Sequence, residues 1–475
     1  MKKVIHKYIF LIITITSISS CDFLEVDPIG KTTIPILFSD MEGIRAALPG
    51  AYSAVYEYYD SEFSKYPEVA GNMVYLNIIG DNVEMINQYN FTSMADDETE
   101  AVGYIWGKIY KALANINNII QYQPDLLAKY PQHENELNNI LAESLFLRAL
   151  SHFDLVRVYG QAYNYTSDAS HLGVPVLLKT PGADDNVSRN TVNEVYTQVI
   201  ADLEQAINIW NNSEDTNSSE AYFASKDAAN ALLSRVYLYM EDWDKVISYS
   251  TLLIDEIPLS QGQNYIDMYN NMVVGDEAIF RLNGTLKSSS LAKFYSPAAP
   301  IAIPADTLIS LFDDPSDIRL ALLKDDEGKK ACRKYLIAAS MPEKDKHYDP
   351  FVLRVTEMYL NRAEAYLNKN MLAEAAADVK AIIARGVGKS VSEIIINETD
   401  QAALNHLIEK ERAKEFCFEG HQFFDITRKK QDLVREASTS STVLRMNYPS
   451  DYFVLPISQK ELDANLNIQP NPTVN

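Results

Sequence analysis

The sequence predicts a mainly α-helical protein, in which paired helical repeats are interrupted by irregular, loop-rich segments that carry a few short strands. Apolar residues recur at helical spacing within about 102–257 and 351–420. Between these regions, Pro and Gly punctuate short apolar runs over about 258–350, which indicates short strands and loops. The chain has 475 residues and no linker-like stretch in its middle, so we expect a single domain over 21–475 after a leader over 1–20.

The clearest helical pair is predicted over 351–386, where two helices flank a polar turn at 368–370. The positions that fit the tetratricopeptide template in register are Tyr359, Ala363, Tyr366, Ala375, Val379 and Ile382. Because Ala363 and Ala375 are small, the two helices can approach each other closely. Arg362 stands where the template has Leu. One such pair cannot bury its own apolar face, so neighbouring pairs are required.

Further helices are predicted along the chain from the same periodicity. They cover 40–59, 102–123, 136–159, 192–211, 225–240, 243–257 and 400–418. Asp40 can cap the first of these, and Pro49 with Gly50 predicts a bend or break within it. The segment over about 58–101 loses helical period and is rich in aromatic and amide side chains, so we expect irregular structure there. The tail at 452–458 has the pattern of a short strand.

The N-terminus has the order of a secretory signal. Lysines precede an apolar run at 8–15, and Ser19 and Ser20 then lead to Cys21. The run is too short to span a bilayer as a helix, and a short transmembrane anchor is the alternative interpretation. A Cys directly after two small residues is typical of a bacterial lipobox, in which Cys21 becomes the lipidated first residue of the mature chain. We therefore expect a membrane anchor on Cys21 and a flexible tether over 21–35.

Composition and motif content exclude several classes of function. The formal net charge is −23, and a protein this acidic repels nucleic acid and other polyanions. The sequence has no HExxH, GxSxG, Walker or Rossmann spacing and no Cys/His cluster, so no enzymatic activity, cofactor or metal site is predicted. Charged residues within the helical blocks are predicted to form buried ion pairs rather than to act as catalytic acids. These are Glu143, Arg148, Arg362, Glu364, Glu411, Glu419 and Arg428.

Two cysteines follow Cys21 in the chain. Cys417 lies in an apolar helical context and is predicted to be a small buried hydrophobic residue. A disulfide between Cys332 and Cys417 stays an open alternative, because two cysteines alone make no framework.

Six sequence blocks resemble, in the same order, those of the SusD-like (RagB/SusD) outer-membrane lipoproteins. They are CDFLEVDP at 21–28, the helix over 106–120, AESLFLRALSHFDLVRVYG at 142–160, RNTVNEVYTQVIADL at 189–203, EKERAKEFCFEGHQFFDITR at 409–428 and YFVLPISQKELDANLNIQPNP at 452–472. Ser458 departs from the family pattern, which has a second Pro there, and His421 and Gln422 lie near a position that is often Arg. The blocks cover nearly the whole chain, so the resemblance is specific.

The resemblance implies a binding protein on the cell surface. Such proteins sit as a lid over a SusC-like TonB-dependent transporter and capture a nutrient, usually a glycan. It further implies an outer-membrane location through the lipid on Cys21, with helical repeats as scaffold and the irregular segments, about 58–101 and 258–350, as the ligand side. Three alternatives stay open: the same architecture binding peptides or another nutrient, a protein-interaction scaffold without its own ligand, and a glycoside hydrolase.

Sugar binding requires flat apolar faces together with amide or carboxylate groups. Trp106, Trp210 and Trp243 fall at helical packing positions and are predicted to fill the core. A glycan platform would therefore use Tyr, Phe and amide side chains of the irregular segments. The candidate ligand residues are Asn72, Tyr75, Asp81, Asn82, Tyr89 and Phe91, with Tyr66 and Tyr295 as outlying members. The alternative for each aromatic residue is that it packs the irregular half.

Overall fold

The structure, a computed structural model, describes residues 33–78, 83–97, 100–182, 185–213, 221–270, 277–285, 287–336 and 348–472. The leader and Cys21 lie outside these residues, as do Asp81 and Asn82. The helices are α1 (Ile34–Leu37), α2 (Met41–Tyr59), α3 (Glu62–Val69), α4 (Ile86–Asn90), α5 (Ala101–Lys129), α6 (Glu134–Tyr159), α7 (Val192–Asn211), α8 (Lys226–Met240), α9 (Trp243–Ile254), α10 (Gln263–Asn270), α11 (Ser290–Phe294), α12 (Asp306–Ser310), α13 (Val355–Asn368), α14 (Leu372–Val387), α15 (Gln401–Phe416), α16 (Gln422–Arg428) and α17 (Gln459–Ala464). The strands are β1 (Val74–Leu76), β2 (Ala278–Arg281), β3 (Ala302–Pro304), β4 (Phe351–Arg354), β5 (Leu433–Val434) and β6 (Arg445–Met446).

The long helices stack in chain order and confirm the mainly helical fold class. Helix α2 packs on α5, and α5, α6, α7 and α8 each pack on the next helix. Helix α9 then packs directly on α13, although the chain between them runs through the irregular region. Helices α13, α14 and α15 complete the stack. The repeats interrupted in sequence are therefore continuous in space, and the irregular region is an insertion between two adjacent helices.

Several helix starts follow from side-chain caps. Asp40 accepts the backbone N–H of Gly43 at 3.0 Å, as predicted. Thr191 and Glu194 form a capping box at the start of α7, whose bounds match the predicted 192–211. Of the bend or break predicted at Pro49, the break is wrong, because α2 runs without interruption through this residue. Buried side chains before and after Pro49 hold both halves of α2 against the core, which offsets the missing N–H donor.

Irregular structure was expected throughout 58–101, but α3, β1 and the short helix α4 lie within this segment. All side chains of α3 from Phe63 to Val69 are buried, including polar ones. Lys65 donates to Glu84 at 2.5 Å and to Ser290 at 2.6 Å. A helix that buries polar side chains along with apolar ones has no periodic apolar stripe, and the sequence pattern therefore missed it.

Glu68 in α3 fixes the turn that joins α15 to α16. Its carboxylate accepts the backbone N–H groups of Phe418 and Gly420, each at 2.8 Å, and of His421 at 3.1 Å. Gly420 has a φ of +82°, in the left-handed region that favours glycine. Burial, opposed by these hydrogen bonds, raises the pKa of Glu68 to about 7. The turn is thereby attached to the N-terminal part of the chain.

The strands form three antiparallel two-stranded sheets. Strand β1 pairs with β3, β2 with β4, and β5 with β6. The first two pairings tie the insertion to the N-terminal irregular segment and to the start of α13. The tail at 452–458 forms no strand. Its backbone instead bonds to α6, where Leu455 N–H donates to the carbonyl of Val158 at 3.0 Å.

The helical pair α13–α14 packs as its template positions predicted. Ala363, Ala375 and Val379 are fully buried in one apolar cluster. Arg362, in place of the template Leu, donates to both carboxylate oxygens of Asp378 at 2.8 Å. It also reaches Thr251 on α9 at 2.9 Å. Arg362 therefore supports the contact among α9, α13 and α14 through a bidentate ion pair.

Most of the charged residues expected to form buried ion pairs do so. Arg148 pairs with Asp202 at 2.7 Å, and Arg428 pairs with Glu364 at 2.5 Å. Glu143 is different, since its carboxylate accepts the hydroxyl of Tyr52 at 2.5 Å and an amide N–H at 2.7 Å. Burial, opposed by these hydrogen bonds, raises the pKa of Glu143 to about 7.

A larger buried ion network joins the insertion to the repeats. Its central carboxylate, Glu415 on α15, lies 2.7 Å from Arg354 and 2.7 Å from Arg385. Arg354 also pairs with Glu277 at 2.7 Å and with Glu419 at 2.8 Å. These side chains are almost fully buried. The network therefore connects the sheet β2–β4 to α14 and α15.

Cys332 and Cys417 are both buried and free. The open alternative of a disulfide between Cys332 and Cys417 is therefore not realised. Burial raises the pKa of the Cys417 thiol to about 12, so this group stays protonated.

Candidate functional site

Four of the candidate residues lie together against the C-terminal third of the chain. The ring centroid of Phe423 on α16 lies 5.7 Å from that of Tyr66 and 5.8 Å from that of Phe91. Tyr66 is 2% exposed, Tyr89 is 0% exposed and Phe91 is 9% exposed. Asn72 donates to a backbone carbonyl on β5 and accepts from the side chain of α16's first residue. The three rings therefore offer almost no surface to a ligand in this conformation.

Arg435 holds this cluster together. Its guanidinium lies 4.6 Å from the ring centroid of Tyr89 and 5.3 Å from that of Phe91. It donates to the carbonyl oxygens of Val69 and Gly71, each at 2.9 Å, and of Tyr89 at 2.6 Å. Burial, partly offset by the phenol of Tyr89, lowers the pKa of Arg435 to about 10. The sequence carried no signal for this role, because the two rings and these three carbonyl groups lie far from Arg435 in the chain.

Tyr295 lies in a different part of the core. Its ring stacks on Tyr335 with centroids 5.1 Å apart and meets the edge of Phe418 at 5.2 Å. It is 1% exposed, and its hydroxyl has no hydrogen-bond partner among the described residues. The structure therefore does not bring Tyr295 together with the other candidates.

Tyr75 differs from the other aromatic candidates, because it is partly exposed. It lies opposite Ile303 in the β1–β3 sheet, while its neighbours Val74 and Leu76 are buried. Alternation along the two strands places Tyr75 and Ile303 on the outer face. We call this surface the Tyr75 face; its partly exposed residues are Tyr75, Asn77, Ile301 and Ile303.

Asn77 places an amide at the end of the Tyr75 face. Its side chain donates to the carbonyl of Pro300 at 2.7 Å, and its backbone N–H donates to Ile301 at 2.9 Å. These bonds fix the amide beside the outward-facing ring. Sequence reasoning missed Asn77, because the alternation that places it on the same face as Tyr75 follows from β1, and no strand was predicted here. It also missed the two isoleucines, because only the strand pairing brings them here.

The Tyr75 face combines an aromatic ring, two branched aliphatic side chains and an amide. A sugar ring presents C–H groups on its faces and hydroxyl groups at its edges, so this combination can contact both. The face contains no ionisable carboxylate, ammonium or guanidinium group, which suits an uncharged ligand. Of the remaining candidates, Asp81 and Asn82 lie outside the described residues, so their placement stays a prediction.

Within the described residues, two further properties bear on function. None of the helices there is long and apolar enough to cross a membrane. The same residues contain no group of three or more His, Cys, Asp or Glu side chains placed to hold a metal ion.

The chain matches two models of known families. A model described as starch-binding and associating with the outer membrane matches residues 22–238. A second model, described as the SusD family, matches residues 325–473. The two matches follow each other along the chain and together cover most of it.

Relatives and solved structures agree with these models. SusD-like protein P2 from Formosa agariphila is 24% identical, over 99% of this chain and 99% of its own length. A SusD superfamily protein from Bacteroides thetaiotaomicron has a TM-score of 0.79 and 26% identity, covering 91% of this chain and 100% of that chain. Surface glycan-binding protein A from Bacteroides fluxus shares the fold with a TM-score of 0.71 and 19% identity, covering 91% and 99%. The continuous helical stack, the matched models and these relatives show that the chain belongs to the SusD-like family.

Proposed function

We propose that the protein is a lipid-anchored outer-membrane protein that captures oligosaccharide at the cell exterior and hands it to a SusC-like TonB-dependent transporter. The description of the model over residues 22–238, starch-binding and associating with the outer membrane, supports both the ligand class and the compartment. The lipobox at Cys21 supports the lipid anchor. The protein acts by binding and release, without a catalytic step of its own.

The Tyr75 face is the observation that carries glycan capture. Here the ring of a candidate aromatic residue, Tyr75, is partly exposed on the same face as the amide of Asn77. Asn72, Asp81 and Asn82 are proposed as further ligand contacts, because they flank this ring in sequence. Ligand contact by Tyr66, Tyr89, Phe91 and Tyr295 stays a prediction that would require the core to open.

Replacing Tyr75 with Ala is expected to weaken oligosaccharide binding about tenfold, which corresponds to about 1.4 kcal/mol. That loss is at the upper end of what a single aromatic contact contributes. The melting temperature should stay close to that of the wild type, since the ring is partly exposed and fills no cavity. Isothermal titration calorimetry with maltoheptaose, xylohexaose and laminarihexaose measures the affinity, and calorimetric unfolding measures the stability.

The matched control is Tyr165→Ala, which removes another exposed tyrosine, 39% exposed, outside the Tyr75 face. This variant should bind the same oligosaccharides as tightly as the wild type. Unchanged affinity of Tyr75→Ala would remove the face from the binding site. A lowered melting temperature with Tyr75→Ala would assign the ring to packing.

A further inference from the structure

A separate cavity of about 310 Å³ lies between α5, residues 175–181 and 185–187, and α17. Its volume is at the lower end of the range for small-molecule sites. None of the residues of the Tyr75 face lines it. Its walls combine aromatic, amide and carboxylate side chains, which is the combination required for a polar ligand with an apolar face.

Two aromatic side chains on successive turns of α5 form the apolar wall. The ring centroids of Trp106 and Tyr110 lie 4.7 Å apart. The Trp106 indole N–H donates to Glu461 at 3.2 Å, and the Tyr110 hydroxyl donates to the carbonyl of Pro175 at 3.0 Å. Both polar ends are thus bound by the protein itself, so the rings are held in one orientation and only their apolar surface remains for a ligand. Trp106 is 5% exposed, which agrees with its predicted packing role, yet it also lines this cavity.

The polar groups of the cavity are also held in place. Glu461 on α17 accepts from Asn465 at 3.1 Å as well as from Trp106. Asp185 accepts the backbone N–H of Gly182 at 2.8 Å. Each carboxylate oxygen offers two lone pairs, so both side chains can accept further hydrogen bonds from a ligand. A ligand would therefore meet acceptors that need no rearrangement.

The charge of the cavity is unbalanced. Two carboxylates line it, those of Asp185 and Glu461, and no Lys or Arg is found among the described lining residues. The cation behind it, Arg189, donates to the carbonyls of Gly173 at 2.6 Å and Tyr159 at 3.1 Å rather than to either carboxylate. The cavity therefore attracts a cation and repels an anion. An ammonium group is further favoured beside the face of a Trp or Tyr ring.

We infer that this cavity is a second ligand site, which binds a sugar-sized molecule carrying both hydroxyl groups and an ammonium group, of the amino-sugar type. The hydroxyl groups are recognised by the amide and carboxylate acceptors, the ring C–H groups by the aromatic wall, and the ammonium group by Glu461 and Asp185. Uncharged sugars bind more weakly, and uronates are excluded by the two carboxylates. The site works independently of the Tyr75 face.

Tryptophan fluorescence provides a direct test, because the chain has only three Trp residues and Trp106 lines the cavity. The chain from Asp22 onward, carrying Trp210→Phe and Trp243→Phe, is titrated with glucosamine, glucose and glucuronate. We expect a saturable change with glucosamine, an affinity at least about tenfold lower for glucose, and no response to glucuronate. Glu461→Gln should lower the glucosamine affinity to that for glucose, whereas Asp463→Asn on the same helix should leave it unchanged.

Equal affinities for glucosamine and glucose would overturn the assignment of an ammonium ligand. Absence of any saturable response to all three sugars, with the melting temperature of the double variant unchanged, would overturn the cavity as a ligand site. Nuclear magnetic resonance of the labelled wild-type chain provides the same comparison without the Trp replacements. Tyr75→Ala separates the two sites, because it should weaken the binding of neutral oligosaccharides about tenfold in calorimetry and leave the glucosamine response intact.

Discussion

Replacement of Glu415 with Gln is expected to lower the free energy of unfolding by about 3–5 kcal/mol, the range for breaking a buried ion pair. Glu415 lies 2.7 Å from Arg385, 2.7 Å from Arg354 and 3.3 Å from Arg319. It also accepts the hydroxyl of Tyr265 at 3.2 Å. Gln would remove the negative charge at the centre of this network and turn an N–H donor toward guanidinium donors. Urea denaturation of the chain from Asp22 onward measures the loss.

The control for this variant is Glu327→Gln. Glu327 pairs with Lys329 at 2.6 Å, but both side chains are more than 70% exposed. An exposed pair of this kind contributes about 0–1 kcal/mol, so this variant should unfold like the wild type. Equal stability of the two variants would show that the buried network does not hold the insertion to the repeats.

The stability that Glu415 contributes to this network depends on pH. Burial raises the pKa of Glu415, but the guanidinium groups of Arg385, Arg354 and Arg319 outweigh this effect and hold the pKa well below the usual 4.5. A carboxylate with a depressed pKa in the folded state contributes stability above its ordinary pKa. That contribution is lost as the pH falls from the ordinary pKa toward the lower pKa of the carboxylate in the folded state. The Glu415→Gln variant should therefore lose less stability than the wild type on acidification.

Replacement of Tyr89 with Ala is expected to cost about 3–5 kcal/mol of stability, the range for truncating a buried aromatic side chain. The Tyr89 ring is 0% exposed and lies under the guanidinium of Arg435. Its hydroxyl is hydrogen-bonded to Thr439, which is 350 residues away in the chain. Tyr89→Phe keeps the ring and loses only the hydroxyl contacts with Thr439 and Ser440, at a cost of about 1 kcal/mol. Thermal unfolding of both variants measures the difference.

Oligosaccharide affinity provides the second readout for Tyr89. The folded Tyr89→Phe variant should bind oligosaccharide like the wild type, because the hydroxyl is turned into the core. A loss of affinity in this variant with the melting temperature retained would show that Tyr89 contacts the ligand, as predicted when it was named among the candidate ligand residues.

The comparison of Tyr75 with Tyr89 shows what the sequence can and cannot predict about the site. Both lie in the same aromatic-rich, amide-rich segment, and local composition does not separate them. The structure separates them through distant partners, since Tyr75 pairs with Ile303 and Tyr89 packs under Arg435. Neither pairing is encoded in local spacing. The candidate segment could therefore be predicted from the sequence, whereas the exposed member could not.

The same limit applies to the fold. Helix α7 was predicted to its last residue, because Thr191 caps it and its apolar residues follow helical spacing. Helix α3 was missed, because Lys65 and Glu68 lie in its buried face. Their partners come from segments far along the chain. Local period and caps therefore predict the repeats, while buried polar contacts decide the structure of the irregular half.

Glycan capture is tested most directly by isothermal titration calorimetry of the chain from Asp22 onward. The panel consists of neutral oligosaccharides, acidic oligosaccharides and unlabelled peptides of mixed sequence. We predict saturable binding of at least one neutral oligosaccharide at micromolar to millimolar affinity, reduced by Tyr75→Ala and unaffected by Tyr165→Ala. Binding of peptides together with silence across every oligosaccharide would contradict glycan capture and assign the same architecture to peptide uptake.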